Sequence, residues 1–488
     1  MAELSAGSSV VPTGTRGDTA LRIAESAMCR DGRVMDLETF HKWFADLGRR
    51  IYTRAERVPI DELEGWDSDP VTGNIGHRSG GFFTIEGLDV HIADVAVPDW
   101  SQPIINQPEV GILGILVKEF DGVLHCLMQA KVEPGNCDGP QLSPTVQATR
   151  SNYRRVHRGR ATPYLEYFRD TARHRVIADV RQSEQGSAFH HKRNRNMVVE
   201  VTEDVEPLDG FCWLSIGQLH RLLADDDMIN MDARTVLACL PVAHTGLADV
   251  LRPGADGFRA ALVRSCDPDA PGVWSMGDVL SWITDTRSRT DVRIRRVPLK
   301  ALPGWRRVDG RISHESGRFF DVIGVRVEAS GREVSRWCQP MVEPHGMGVV
   351  AFLVKRVDGV LHVLVHARVE AGYVDIVELA PTVQCTPANY EVLPGPARPR
   401  FLDAVLAADR GQIRYEAVLS EEGGRFYHAR NRYLVIEADP GPGAQSGDYR
   451  WLTVHQLADL LRHSHYVNVQ ARSLIACLYS LAAAPAEA

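Results

Sequence analysis

Apolar residues recur at Leu37, Phe40, Phe44 and Leu47 in LETFHKWFADL, a spacing that predicts a helix with one buried face. DVLSWITDT, near Asp278, repeats that pattern. The period then changes. VGILGILVKEF and VLHCLMQAKVE flank Asp121-Gly122 and predict two apolar strands joined by a tight turn, because Asp-Gly accepts left-handed backbone. Asp358-Gly359 stands between the equivalent runs later in the chain. RVIADVRQS with RNMVVEV, and RYEAVLS with NRYLVIEA, predict further strands. Each set closes on two short helices, the first starting at a capping Ser215 or Thr453.

The two sets are copies. LSPTVQATRSNY from Leu142 returns as LAPTVQCTPANY from Leu379, an offset of 237 positions. LVKEFDGVLHCLMQAKVEPG matches LVKRVDGVLHVLVHARVEAG, and FHHKRNRNMVVE matches FYHARNRYLVIE, at the same offset. This period is too long for a solenoid repeat and implies two homologous domains. The expected class is α+β, with a mixed, mostly antiparallel sheet in each module. Module one is expected at 21–243, a connection at 244–272 and module two at 273–481. The tails 1–20 and 482–488 are expected to be disordered.

Composition narrows the class. The 488 residues are 44% hydrophobic and 24% charged, ordinary for a soluble protein. A net charge of −8 argues against a nucleic-acid partner. Nine cysteines without a C-x-x-C pair read as reduced thiols in a cytoplasmic protein. No apolar run suggests a signal peptide or a membrane span.

Polar residues that match between the copies are the informative set. Core periodicity alone does not keep them. Glu133 and Glu370 match, as do Thr145 and Thr382, Gln147 and Gln384, Asn152 and Asn389, Tyr153 and Tyr390. A loop with these groups can bind a polyhydroxy ligand or form a buried hydrogen-bond network. Arg193-Asn194-Arg195 is mirrored by Arg430-Asn431-Arg432. Strand alternation puts the two arginines on one side, where they suit a diphosphate or structural ion pairs. Trp66 and Trp305 each follow a glycine and fit either base stacking or a core position. His190 and His191 have no third ligand at a useful spacing, so no metal is expected. There is no G-x-G-x-x-G, no G-x-x-x-x-G-K-[ST] and no G-x-S-x-G.

At KVEPGN, LSPTVQATRSNY and their echoes the chain resembles the NDP-hexose 2,3-dehydratase family, over roughly Leu37 to Leu478. The resemblance implies a Nudix-like fold, a homodimer and no cofactor. It implies a dTDP-linked 4-keto-6-deoxyhexose as substrate and a downstream ketoreductase as pathway partner, in deoxysugar and antibiotic biosynthesis. The chain lacks the carboxylate-rich Nudix box, which disfavours pyrophosphate hydrolysis. A non-catalytic nucleotide-sugar binder is the other alternative. Dehydration needs a base at C-3, donors for the C-4 oxyanion and an acid for the C-2 hydroxyl. Tyr390, Glu378, His428 and Tyr153 are the candidates for base and acid. The substrate is expected at Trp66, Trp305, Thr149, Arg150, Ser151, Asn152, Tyr153, Thr382, Val383, Gln384 and Asn389. Phe426, Tyr427, His428, Arg430, Asn431, Arg193 and Arg195 complete that set. Glu378 faces Gln141 in the repeat, so the two pockets are expected to differ, with the catalytic one in module two.

Overall fold

The computed structural model describes residues 14–149, 161–254, 257–330 and 334–484. Each half carries a seven-stranded sheet. In the first half its main order is Arg175–Ser183, Arg193–Val201, Gly111–Phe120, Val123–Lys131 and Phe211–Ser215. Only the pair Arg193–Val201 with Gly111–Phe120 is parallel. The second half repeats this, with Gly348–Val357 parallel to Arg430–Glu437. The halves are thus similar α+β units with mixed sheets. Asp121 and Gly122 have φ of 47° and 77°, and Asp358 and Gly359 have 49° and 77°. Both central residues of each hairpin therefore take the left-handed conformation that the Asp-Gly pairs predict. Ser215 and Thr453 cap their helices in full capping boxes with Gln218 and Gln456.

The halves also exchange a strand. Thr53–Val58 pairs with Phe320–Ala329 in the five-stranded sheet of the second half. Val292–Val297 returns the exchange by pairing with Thr84–Ile92 in the first. Periodicity announces a strand but not its partner, so the sequence implies two homologous domains without showing that they interlock by exchanging strands.

The segment 244–272 is more than a connection. It contains the helices Leu247–Leu251 and Phe258–Ser265. Ser265 Oγ donates to the Leu361 carbonyl at 2.6 Å and accepts from Val454 N at 2.8 Å. In the first half Ser26, on helix Gly14–Met28, accepts from Leu124 N at 2.8 Å, at the matching hairpin. Each module therefore opens on a helix that seals the end of its sheet. That helix begins within the stretch expected to be a disordered tail. Ala482 and Ala483, also assigned to a tail, are buried in the core.

One apolar core serves both halves. Ile115, Val117 and Cys126 belong to the same cluster as Phe352, Val354 and Val363, with the helices Met231–Leu237 and Val469–Ala482 among them. Two arginines are sealed inside, with Arg234 0% and Arg472 1% exposed. Arg234 donates to the carbonyls of Ile229 (2.5 Å) and Ser420 (2.7 Å) and to Ser473 Oγ (3.2 Å). Arg472 donates to the carbonyls of Val467 (2.6 Å) and Ser183 (2.5 Å) and to Thr235 Oγ1. Each guanidinium takes one acceptor from its own half and two from the other.

Removing either arginine strands those acceptors in an apolar interior, at about 1–3 kcal/mol each. Arg234→Ala is expected to lower stability by about 3 kcal/mol or more. Because the core is shared, calorimetry should show one transition that moves as a whole; two separate transitions would contradict the shared core.

Candidate active site

A cavity of about 350 Å³ opens between the large and small sheets of the first half and is closed by the second. Its floor is made by Lys131, Glu133, Gln147, Glu184, Lys192, Asn194 and Asp232. Trp66, His77, Phe82 and Phe83 from the small-sheet side give it an aromatic wall. Trp337, Cys338, Gln339, Glu422, Gly424 and Arg425 come from the second half.

The second half reaches in through the loop after strand Ile413–Ser420. Gly423 O accepts from Gly135 N at 2.8 Å, and His428 N donates to Gly135 O at 2.9 Å. A Cβ on Gly135 would lie 1.7 Å from the Phe426 carbonyl, so only glycine permits this crossing. Gly372 makes the mirror-image crossing with the loop of the first half, against the Phe189 carbonyl at 1.8 Å. The rings of Phe189 and Phe426 meet between them, with centroids 5.9 Å apart.

The cavity concentrates buried charge. Glu184, Asp232, Glu133 and Lys192 are each more than nine-tenths buried. Lys131 pairs with Glu133 at 3.0 Å, and Lys192 Nζ donates to the Glu109 carbonyl at 2.6 Å. The Arg425 guanidinium lies 4.3 Å from the centre of the Phe83 ring. Burial pushes the Glu184 and Glu422 carboxyls up to about 7, and Asp232 well above the usual range. Burial brings Lys192 down to about 8, against the pull of Glu184. Glu184 Oε2, Glu422 Oε2 and Asp232 Oδ1 are buried without a hydrogen-bond partner. A site of this kind can give and take protons near neutral pH and stabilise a developing oxyanion.

Of the residues singled out in the sequence, Trp66, Gln147, Thr149 and Glu133 line this cavity. Trp66 Nε1 donates to the Cys338 carbonyl across the halves at 2.7 Å; Trp305 mirrors it on the Ser101 carbonyl at 2.8 Å, outside the cavity lining. Arg150, Ser151, Asn152 and Tyr153 lie outside the described residues. Thr382 donates to the Leu364 carbonyl and accepts from Leu353 N, fixing two strands. Val383 is core. Gln384 links Asn468 to Glu370, and Asn389 Oδ1 holds Phe319 N at 3.1 Å. Tyr390 is half-buried, and burial raises its phenol despite Arg368 nearby. Tyr427 and His428 stack on each other, with Arg57 over the Tyr427 ring.

The arginine alternation holds, but the asparagine is the residue that faces inward. Asn194 lines the cavity and bonds Glu184; Asn431 bonds Glu421 at 2.5 Å in the mirror position. Arg195 pairs with Asp179 at 2.5 Å, and Arg430 with Asp138 at 3.1 Å and Asp227 at 3.2 Å. Arg193 is half-buried, with its Nε unpaired, and is not part of the cavity lining. His190 and His191 stack with centroids 4.0 Å apart.

Glu378 lies at the module junction, 0% exposed, and accepts from Ser183 Oγ at 2.5 Å. The mirror bond runs from Ser420 Oγ to Gln141 Oε1 at 2.8 Å. Burial raises the Glu378 carboxyl to about 7. Glu184, Glu422 and Asp232 escaped the sequence reading. The signal for Glu184 and Glu422 was the pair SEQGSAF and SEEGGRF, where one acid matches and its neighbour does not; for Asp232 it was the acid standing opposite Gln470 in the repeat.

The raised Glu378 pKa has a sign for stability. Its ionised form is disfavoured in the fold, so its contribution is full below the unfolded value of about 4.5 and is lost as pH rises through about 7. Glu378→Gln, which installs the residue found in the mirror position, should therefore raise Tm at pH 8 and leave it nearly unchanged at pH 4. Equal shifts at both pH values would remove this explanation.

A family model described as NDP-hexose 2,3-dehydratase matches residues 37–240 and again 276–478. Three curated proteins are similar over nearly the whole chain, each called a dTDP-4-dehydro-6-deoxy-alpha-D-glucopyranose 2,3-dehydratase. The one from Saccharopolyspora spinosa is 50% identical, covering 98% of both chains. That from Amycolatopsis orientalis is 51% identical, covering 96% of this chain and 95% of its own. That from Streptomyces violaceoruber is 48% identical over 92% and 98%.

Proposed function

Because this chain belongs to the NDP-hexose 2,3-dehydratase family, we propose that it is the hydro-lyase that removes water across C-2 and C-3 of dTDP-4-keto-6-deoxy-D-glucose. The product is the dTDP-linked 3,4-diketo-2,6-dideoxyhexose. The observation that carries the reading onto this molecule is the buried charge of the cavity in the first half.

The C-3 proton is acidic because it is α to the C-4 ketone. A cavity carboxylate removes it; Lys192, with Arg425 and Lys131 nearby, stabilises the oxyanion at C-4; a protonated carboxyl donates to the departing C-2 hydroxyl. Trp66, Phe82 and Phe83 offer an apolar wall for the nucleotide or sugar.

A specific contrast favours this half over module two. Where the first cavity has Lys192, Asp232, Glu422 and Arg425, the repeat offers Ala429, Gln470, Gln185 and Ala188. A second reading keeps the chemistry in module two with Tyr390, on the strength of its half-buried phenol beside Arg368.

The Nudix-like kinship of each mixed sheet, the homodimer, the cytoplasmic location and a ketoreductase that consumes the diketone belong to this proposal. Among the described residues no helix is long and apolar enough to cross a membrane.

Incubation with the 4-keto sugar nucleotide tests the reading. A 3,4-diketone trapped by reduction supports it. Nucleoside monophosphate would mean a hydrolase, and unchanged ligand a binding protein. Lys192→Met should lower kcat by roughly 10²–10³-fold, as loss of an oxyanion donor does. Tyr390→Phe should stay within about threefold of the parent; the opposite ranking would move the reaction to module two.

A further inference from the structure

We propose that Glu184 and Glu422, one from each half, form a two-carboxylate pair that holds a single proton and performs both proton transfers of the elimination, an inference that rests on the dehydratase reading above.

Both side chains line the cavity, and each is held by one oxygen only. Glu184 Oε1 accepts from Asn194 Nδ2, and Glu422 Oε1 accepts from Gly424 N at 3.1 Å. The other oxygen of each, Oε2, is buried without a partner. Two carboxyl oxygens left bare in this way are costly unless a proton or a substrate meets them.

The repeat shows what such a pair looks like when it cannot titrate. Glu184 matches Glu421, and Glu422 matches Gln185. In that mirror position the side chains touch: Gln185 Nε2 donates to Glu421 Oε2 at 2.9 Å. An amide bonded to a carboxylate has the shape of a carboxyl bonded to a carboxylate, with the proton fixed on one partner. The second half thus makes this contact and lacks the exchangeable proton. The first half has carboxyls at both positions.

The surroundings favour one shared proton. Glu184 faces Lys192, Arg472, Arg425 and Glu421; Glu422 faces Glu133 and Arg425; Asp232 faces both. Burial first, and then repulsion between the carboxylates, opposes ionising both at neutral pH, while the cations oppose protonating both.

The proton count closes over one turnover. The ionised member takes the C-3 proton, and the C–H electron pair becomes the C-3/C-4 enolate. The enolate expels the C-2 oxygen, which takes a proton from the other member and leaves as water. The pair then protonates C-2 and recovers a proton from the enol oxygen at C-3. The carbonyl forms there, and one proton is again held between the two carboxyls.

Glu184→Gln and Glu422→Gln are the tests: the repeat already carries glutamine opposite Glu422, and an amide oxygen at position 184 can still accept from Asn194 Nδ2. Each should lower kcat by roughly 10²–10⁴-fold. The parent kcat/KM should be bell-shaped around pH 7, falling at low pH as both carboxyls protonate and at high pH as both ionise. Each variant should lose that bell. In deuterium oxide one variant should stop exchange of the substrate C-3 proton, and the other should retain exchange without elimination. A parent that forms no diketone would defeat the dehydratase reading itself. A parent that forms it while either Glu→Gln variant keeps its rate and its bell would defeat the pair alone, as would loss of C-3 exchange in both variants or in neither.

Discussion

The structure depends on two guanidinium groups that have no access to water. A buried arginine cannot shed its charge, so each of its donors must find an oxygen. Arg234 and Arg472 find theirs across the boundary between the halves, at the ends of strands Ile413–Ser420 and Arg175–Ser183. The loops that follow those strands are the ones that cross at Gly135 and Gly372. Satisfying the arginines therefore sets where Glu422 and Arg425 arrive in the cavity. The same requirement that joins the modules builds the site.

Local chemistry was legible in the sequence. Asp121-Gly122 and Asp358-Gly359 specify their turns because few other dipeptides tolerate two left-handed residues. Ser215 and Thr453 specify helix starts because a free N–H needs an oxygen. Partner choice was not legible. Val292–Val297 and Thr53–Val58 have the alternation of half-exposed strands, and nothing in that alternation names the sheet they join. The lining of the cavity was partly visible: Gln147, Thr149 and Glu133 stand out because their polar types match across the repeat, and Trp66 because its Gly-Trp recurs at Trp305. Glu184 and Glu422 did not stand out, because a lone acid in a loop ordinarily reads as solvated surface. Burial, which raises both carboxyls, appears only once the two halves are packed. The Arg-Asn-Arg stretch shows a related limit. Period two separates the faces of a strand but does not say which face is inside, and here the asparagine is.

Pseudo-symmetry makes the contrast between the halves informative. Both retain the junction: arginine, serine bonded to Gln141 or Glu378, asparagine bonded to Glu184 or Glu421. They part company at the groups that can titrate inside the first cavity. A frame held by two copies of one network can tolerate loss of charge in one copy, because the backbone contacts that fix the geometry are made by carbonyls and glycines.

The exchanged strands also bear on how the chain is made. Thr53 finds its partner at Ala329, so roughly 280 further residues must leave the ribosome before that edge is covered. At ~5–20 residues per second this is a wait of roughly 14–56 s. During it the nascent first module has an unpaired strand and a half-lined core. Co-translational folding of the amino-terminal module can then reach only a provisional state.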